Sequence, residues 1–289
     1  MQQDDLLNYK NNAYSQNGED GIIEEIFKKI DMVSKTCCEF GAWDGVHLSN
    51  CRKLVLDGWR ALMIEGEPQR FNELVKTYKG NPDVICINRF VDCGTSSLDS
   101  IIRECKMEAL DFLSIDIDGL DYEIFDSLEI RPRVVCVEVN AGHDPRAELR
   151  ISRARAKKIV GQPMRVFVEI ADKKGYDLVC YNGNAFFVHR SVNAKSLLPV
   201  LSSEQAYQSF VNHLSSDEKE WLYLVNMGIK YPWVRYHNPY LSRQSLGISP
   251  DRAIKVIFKG IYLSCVFVLG YLKLQLMRIF TLKAKLTPV

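Results

Sequence analysis

The sequence predicts an α/β protein: a doubly wound, mostly parallel sheet that closes with an antiparallel strand, followed by a helical C-terminal extension. Three observations predict it. Short, almost continuously apolar runs alternate with longer amphipathic stretches from residue 36 to 190, as expected of strands buried on both faces and joined by helices. That block ends in two alternating runs around Asn182-Gly183, a strong hairpin signal, and a hairpin returns antiparallel. Residues 191–250 then lose the strand pattern and take serine-capped helical stretches.

In chain order, the expected divisions are an N-terminal segment 1–35, a sheet domain 36–190, a helical or irregular extension 191–250 and an apolar-basic helix 251–289. The opening "MQQDDLLNYKNN" lacks the basic and apolar regions of a secretory leader. Candidate strands are "TCCEF" (36–40), "RALMIE" (60–65), "DVICINRFV" (83–91), "DFLSIDI" (111–117) and "RVVCVEV" (133–139), with helices such as "SNCRKLVLD" and "PQRFNELVKTY" between them. The hairpin is "YDLVCYNGNAFFVHR". In the extension, "SSEQAYQSFVNHL" and "SSDEKEWLYLV" each open with a serine and an acidic first turn. "YPWVRYHNPYLSRQ" is aromatic and broken by proline, which favours a loop.

The tail is the most apolar part of the chain. Its uninterrupted stretch, Gly260 to Leu272, is 13 residues, short of the ~20 needed to span a bilayer. Lys255, Lys259 and Lys273 fall near one face at ~100° per residue. The leading expectation is a helix on an anionic membrane surface, with Arg278, Lys283 and Lys285 adding attraction. Packing on the domain or a second copy, and a tilted span with snorkelling lysines, are the alternatives.

At 289 residues, 47 % hydrophobic and 25 % charged, the chain affords a sizeable core and excludes disorder. A net charge of +1 gives no argument for nucleic acid as partner. The nine cysteines are odd in number and scattered, and Cys86, Cys136 and Cys180 sit in apolar runs. That usage points to a reducing cytoplasm and to no metal-thiolate site.

Four motifs carry chemistry. In "CEFGAWDGVHLSN" (38–50) a strand runs through Glu39 into a turn punctuated by Gly41 and Gly45. The glycines let backbone approach a ligand. An acid beside the turn repels a pyrophosphate but suits a cationic amino group. Glu65 ends the next strand, where a carboxylate can accept both ribose hydroxyls of an adenosine ligand. Asp92 follows the third strand, in reach of an adenine amine. Finally, "DFLSIDIDGLDYEIF" and "VCVEVNAGHDP" bring Asp116 and Asp118 near Glu138, Asn140 and His143 at the carboxyl edge of the sheet. Asp116, Asp118 and Asn140 are candidate ligands for Mg²⁺; without metal, His143 or an aspartate is the candidate base. Asp126 and, in part, Asp121 are accounted for by the start of the next helix.

Together "YSQNGEDGII" (14–23), "CEFGAWDGVHLSN", "GWRALMIEGEPQRF", "DFLSIDIDGLDYEIF", "VVCVEVN" and "GYDLVCYNGNAFFV" resemble the FkbM-type branch of class I S-adenosylmethionine-dependent methyltransferases. The resemblance covers residues 14 to 188. It implies a Rossmann-like sheet of about seven strands, S-adenosylmethionine as cofactor, and methylation of a hydroxyl on a sugar, glycan or related small molecule, a form of polysaccharide modification. Glu39, Gly41 and Gly45 then correspond to the methionine-binding loop, Glu65 to the ribose acid, Asp92 to the adenine side, and Asp116 to the acid beside the donor methyl. Gln16, Glu19 and Asp20 correspond to a cover over the cofactor. Trp43-Asp44 stands where the wider class often has another glycine.

The expected reaction has Asp116 and Asp118 orient the acceptor while His143 or an aspartate takes its proton. Two rivals remain at this stage. One is a metal-dependent glycosyltransferase using Asp116-Ile117-Asp118 as an Asp-x-Asp; the other is a membrane-docked protein without turnover. The expected location is the cytoplasm, peripheral at the inner membrane face.

Overall fold

The computed structural model describes residues 4–94, 96–117, 120–148, 161–227 and 238–257. Its strands are β1 (Thr36–Phe40), β2 (Arg60–Glu65), β3 (Val84–Asn88), β4 (Phe112–Ile115), β5 (Val134–Glu138), β6 (Tyr176–Tyr181) and β7 (Asn184–His189). They form one sheet in the order β3-β2-β1-β4-β5-β7-β6. Neighbours from β3 to β5 pair parallel, and β7 pairs antiparallel with both β5 and β6. The predicted doubly wound sheet with its antiparallel close is therefore the observed one, and the hairpin turns at Asn182-Gly183.

The helices are α1 (Glu19–Ile30), α2 (Arg52–Leu56), α3 (Pro68–Thr77), α4 (Leu98–Glu104), α5 (Asp121–Ser127), α6 (Met164–Lys173), α7 (Ser203–His213) and α8 (Ser216–Asn226). Every residue of β1 and β4 is buried, because helices cover both faces of the parallel sheet. The edge strand β3 is only half-buried, and it stops three residues before the predicted end at 91. After Asn88 only the Arg89 amide still reaches β2, at the Glu65 carbonyl.

α1 repeats isoleucine and phenylalanine at helical spacing, so Ile22, Ile23, Ile26, Phe27 and Ile30 form one buried stripe. Burial of each such side chain contributes about 1.5–3 kcal/mol. Phe27 meets Trp59 and Phe112 edge-on, at 5.0 and 6.4 Å between centroids. The N-terminal segment is thus part of the sheet domain's core.

The domain boundary differs from the expected one. One unit runs from residue 1 to His213 and a second begins at Leu214. α7 belongs to the first because Tyr207 and Phe210 pack on Tyr181 of β6, at 5.9 and 5.0 Å. In the second unit, α8 starts with a capping box in which Ser215 and Glu218 exchange side-chain and backbone bonds. The first half of "YPWVRYHNPYLSRQ" and the tail from residue 258 lie outside the described residues.

At the amino-terminal end of the strands, Asp111 is fully buried. Its carboxylate accepts the amides of Val33, Ser34 and Lys35 and a guanidinium N–H of Arg133 at 2.9 Å. Arg133 also donates to the carbonyls of Ile30 and Asp31. Three stretches of chain are tied at one point.

Candidate active site

Strand order reverses at β1, with β2 on one side and β4 on the other. Ligands of open α/β sheets bind beyond the strand carboxyl ends at such a switch point. Gly41 stands there. Its φ is +83°, and a Cβ on it would lie 2.2 Å from the Asp116 carbonyl oxygen. Only glycine allows the β1 and β4 ends to meet this closely.

Glu39, in β1, is buried and points to the face covered by α1 and α2. It accepts the Ser49 hydroxyl and, at 2.7 Å, the Asn50 amide. Burial pushes its carboxyl up to about 7, against the pull of these donors. Asn50 is fixed in turn, because its side-chain amide donates to the Ser114 hydroxyl at 3.0 Å.

Glu65 is buried at the end of β2. One oxygen accepts the Trp43 amide at 2.9 Å and the other the Glu67 amide at 2.7 Å. Trp43 takes φ +47°, so between Gly41 and Gly45 a non-glycine residue holds a left-handed position, bonded through its amide to Glu65. The Arg70 guanidinium lies 4.6 Å from the Trp43 ring centroid. Gly45 faces protein. A Cβ there would strike the Tyr78 ring at 2.4 Å, so this glycine serves the close fit of the turn on α3.

The other predicted cofactor residues hold loops. Asp92 is exposed, and its Oδ1 accepts the Gly94 and Ser96 amides. Asp20 is buried, and its Oδ2 collects the amides of Ala13, Tyr14 and Ser15 and the Ser15 hydroxyl. Gln16 is exposed within that segment, and its carbonyl accepts from Asn12. Glu19, fully buried, bonds the Asn17 amide at 2.6 Å and the Asn184 side chain at 2.9 Å. Asn182 donates to the Asn17 carbonyl. Residues 13–19 are therefore strapped to the β6–β7 turn.

Register explains the acidic cluster. Glu39 pairs with Ser114, Ser114 with Cys136, and Glu138 with Asn184. Side chains two apart share a face, so the positions of Asp116 and Glu138 continue the row above Glu39. Carboxylate oxygens of Asp116, Asp121 and Glu138 lie within 4.8 Å of one another. Among the described residues this set shares Asp116 with the expected ligands Asp116, Asp118 and Asn140, and it adds Asp121 and Glu138. Asp121 joins because α5 begins at it and its Oδ1 accepts the Ile117 amide at 2.9 Å. Asn140 instead turns its Oδ1 onto the Gly142 amide. Asp118 lies outside the described residues. The His143 amide donates to the Asn140 carbonyl at 3.3 Å, which places the histidine beside the same strand end. Three carboxylates this close can share a proton, orient an acceptor through its hydroxyls, or hold a hard divalent cation.

Sequence reasoning passed over Ser49, Asn50 and Asn184. Their contacts span 10, 11 and 165 residues, and nothing local marks them.

Residues 91–178 match the family model described as Methyltransferase FkbM domain. That span holds Asp92, Asp116, Glu138, Asn140 and His143, whereas Glu39, Gly41 and Glu65 precede it. No curated protein matches the chain. Among solved structures, monomeric WbdD is similar at 15 % identity and TM-score 0.40, over 61 % of this chain and 42 % of its own. A fibrillarin/Nop5p complex is similar at 17 % and 0.37, over 61 % and 80 %. A precorrin-6y C5,15-methyltransferase from Geobacter metallireducens GS-15 follows at 13 % and 0.34, over 62 % and 90 %. The chain spans less than half of WbdD, and likenesses this distant add nothing to what the strand order itself establishes.

Proposed function

We propose, from the premise that residues 91–178 carry an FkbM-type domain of the S-adenosylmethionine-dependent methyltransferases, that this protein methylates a hydroxyl of a sugar, glycan or related small molecule. One observation carries the reading. The buried acids Glu39 and Glu65 flank a glycine turn that abuts Asp116 at the switch point. That arrangement suits an adenosyl amino acid with a cationic end.

The residues present fit the donor. Glu39 would meet its ammonium group and Glu65 its ribose, while Gly41 lets the β1 and β4 ends close up beside them. When bound, the donor supplies a methyl group on a positively charged sulfur. The protein brings an acceptor oxygen into line with that carbon and removes the hydroxyl proton. Asp116, with Asp121 and Glu138 beside it, orients the acceptor, and Asp116 or His143 receives the proton. The leaving thioether is neutral and needs no acid. A divalent ion held by the three carboxylates would lower the acceptor's pKa; titration of activity with a chelator tests for it.

Asp116→Ala removes an exposed side chain. It is expected to keep S-adenosylhomocysteine binding and thermal stability while cutting turnover at least ~100-fold. Full activity in that variant would refute the assignment. We further propose a cytoplasmic protein that docks on the membrane through the tail. Residues 258–289 carry five lysines and arginines and no acid. No helix among the described residues is long and apolar enough to cross a membrane.

A further inference from the structure

Two opposite charges beside the glycine turn lack a counter-charge among the described residues. Glu39 is buried against a hydroxyl and an amide. Arg52, the first residue of α2, holds its guanidinium between the rings of Tyr14 and Tyr78, 5.8 and 5.2 Å from their centroids. Its Nε is buried without a hydrogen-bond partner, and no carboxylate pairs with Arg52 among the described residues.

One hydroxyl joins the two. Ser49 donates to Glu39 and accepts the Arg52 amide at 3.0 Å. The flanking rings belong to the segments on either side of the turn. Tyr14 lies in the stretch gathered by Asp20, and Tyr78 donates to the Gly45 carbonyl at 2.8 Å. The two rings hold the guanidinium beside the turn, with its Nε still unpartnered. A half-buried cation and a buried anion, each without a counter-charge, are costly until something carrying both signs arrives. An α-amino acid end carries both, a few ångströms apart. The planar fork of arginine matches a carboxylate through two parallel bonds.

We propose that Arg52 binds the α-carboxylate of the methyl donor while Glu39 binds its α-ammonium group, so that the pair selects a complete amino-acid end over other adenosyl thioethers. This rests on the donor reading above. The step is binding alone, with no bond made or broken.

Calorimetry on the full chain with three probes tests it: S-adenosylhomocysteine, its decarboxylated analogue S-adenosyl-3-thiopropylamine, and 5′-methylthioadenosine, which lacks the amino-acid end. Arg52→Gln is expected to weaken S-adenosylhomocysteine binding about 10–100-fold and to leave the two carboxylate-free probes within about twofold. Arg52→Lys, which keeps the charge without the fork, falls between. Equal weakening of all three probes would make Arg52 a clamp on the two tyrosines and overturn the proposal, as would unchanged binding of S-adenosylhomocysteine. If the unmodified protein binds none of the three, the donor reading itself fails.

Discussion

Glu39 is costly for the fold on its own, and the proposed ligand would need its charged form. Its carboxyl rises from an ordinary 4.5 to about 7 because burial disfavours the charge. A raised acid favours the folded state only while protonated. Its contribution is present below pH ~4.5 and lost as pH rises through ~7, a swing on the order of 3 kcal/mol. An arriving ammonium group needs the ionised form. Affinity for S-adenosylhomocysteine is therefore expected to fall severalfold between pH 8 and pH 6. Glu39→Gln should bind more weakly and without that slope. Calorimetry at pH 6, 7 and 8 decides, and a flat profile in the unmodified protein would remove Glu39 from the ammonium site. At this scale the sequence was legible in position, with Glu39, Glu65 and Asp116 standing at strand ends beside the glycine turn; their roles toward a ligand are proposed. It was not legible where a side chain serves its own loop. Asp20 and Asp92 carry the residue type a ligand would want, yet nearby backbone amides already occupy Asp20 Oδ2 and Asp92 Oδ1. Asp121 reads as a helix start and is one; that it also faces Asp116 depends on how the loop after β4 folds back.

The elements were read largely from their apolar pattern. β1 and β2 have their predicted bounds, because a strand buried on both faces shows as an unbroken apolar run. The edge strand β3 ends short of the expected bound, since it is only half-buried and its apolar residues continue into the loop. The strap was out of reach. Asn17, Glu19, Asn182 and Asn184 are polar residues in two turns, and their bonds form only once sheet and α1 are assembled. They predict that Asn184→Ala, which takes a donor from the fully buried Glu19, lowers stability by about 1–3 kcal/mol. Cleavage within residues 11–18 under limited proteolysis should quicken in the same variant. Asn184→Asp should be worse, because it sets carboxylate against carboxylate. Urea denaturation orders the three proteins, and equal midpoints would mean that the strap adds nothing.

For the whole molecule, the distribution of exposed apolar groups bears on location. In the second unit, Trp221, Met227 and Ile254 are 45 %, 51 % and 53 % exposed, and the chain continues from there into the basic, apolar tail. The proposed docking predicts cosedimentation with vesicles rich in anionic lipid, weakening as salt rises from 50 to 500 mM by roughly the loss of ~1 kcal/mol per basic residue. A chain ended after residue 257 should stay in the supernatant while keeping S-adenosylhomocysteine binding. Salt-independent attachment would favour the tilted span, and no attachment at all would leave the tail to a protein surface.

Asp111 lies at the opposite end of the strands from all of this chemistry. Burial would raise its carboxyl, but the Arg133 guanidinium and three amides outweigh it and hold it low. One rim of the sheet is thus electrically finished when the chain folds, and the other is left open for a visitor to complete. Engineers seeking a hardier protein should work near Asp111 and leave the far rim alone, because there discomfort and usefulness reside in the same atoms.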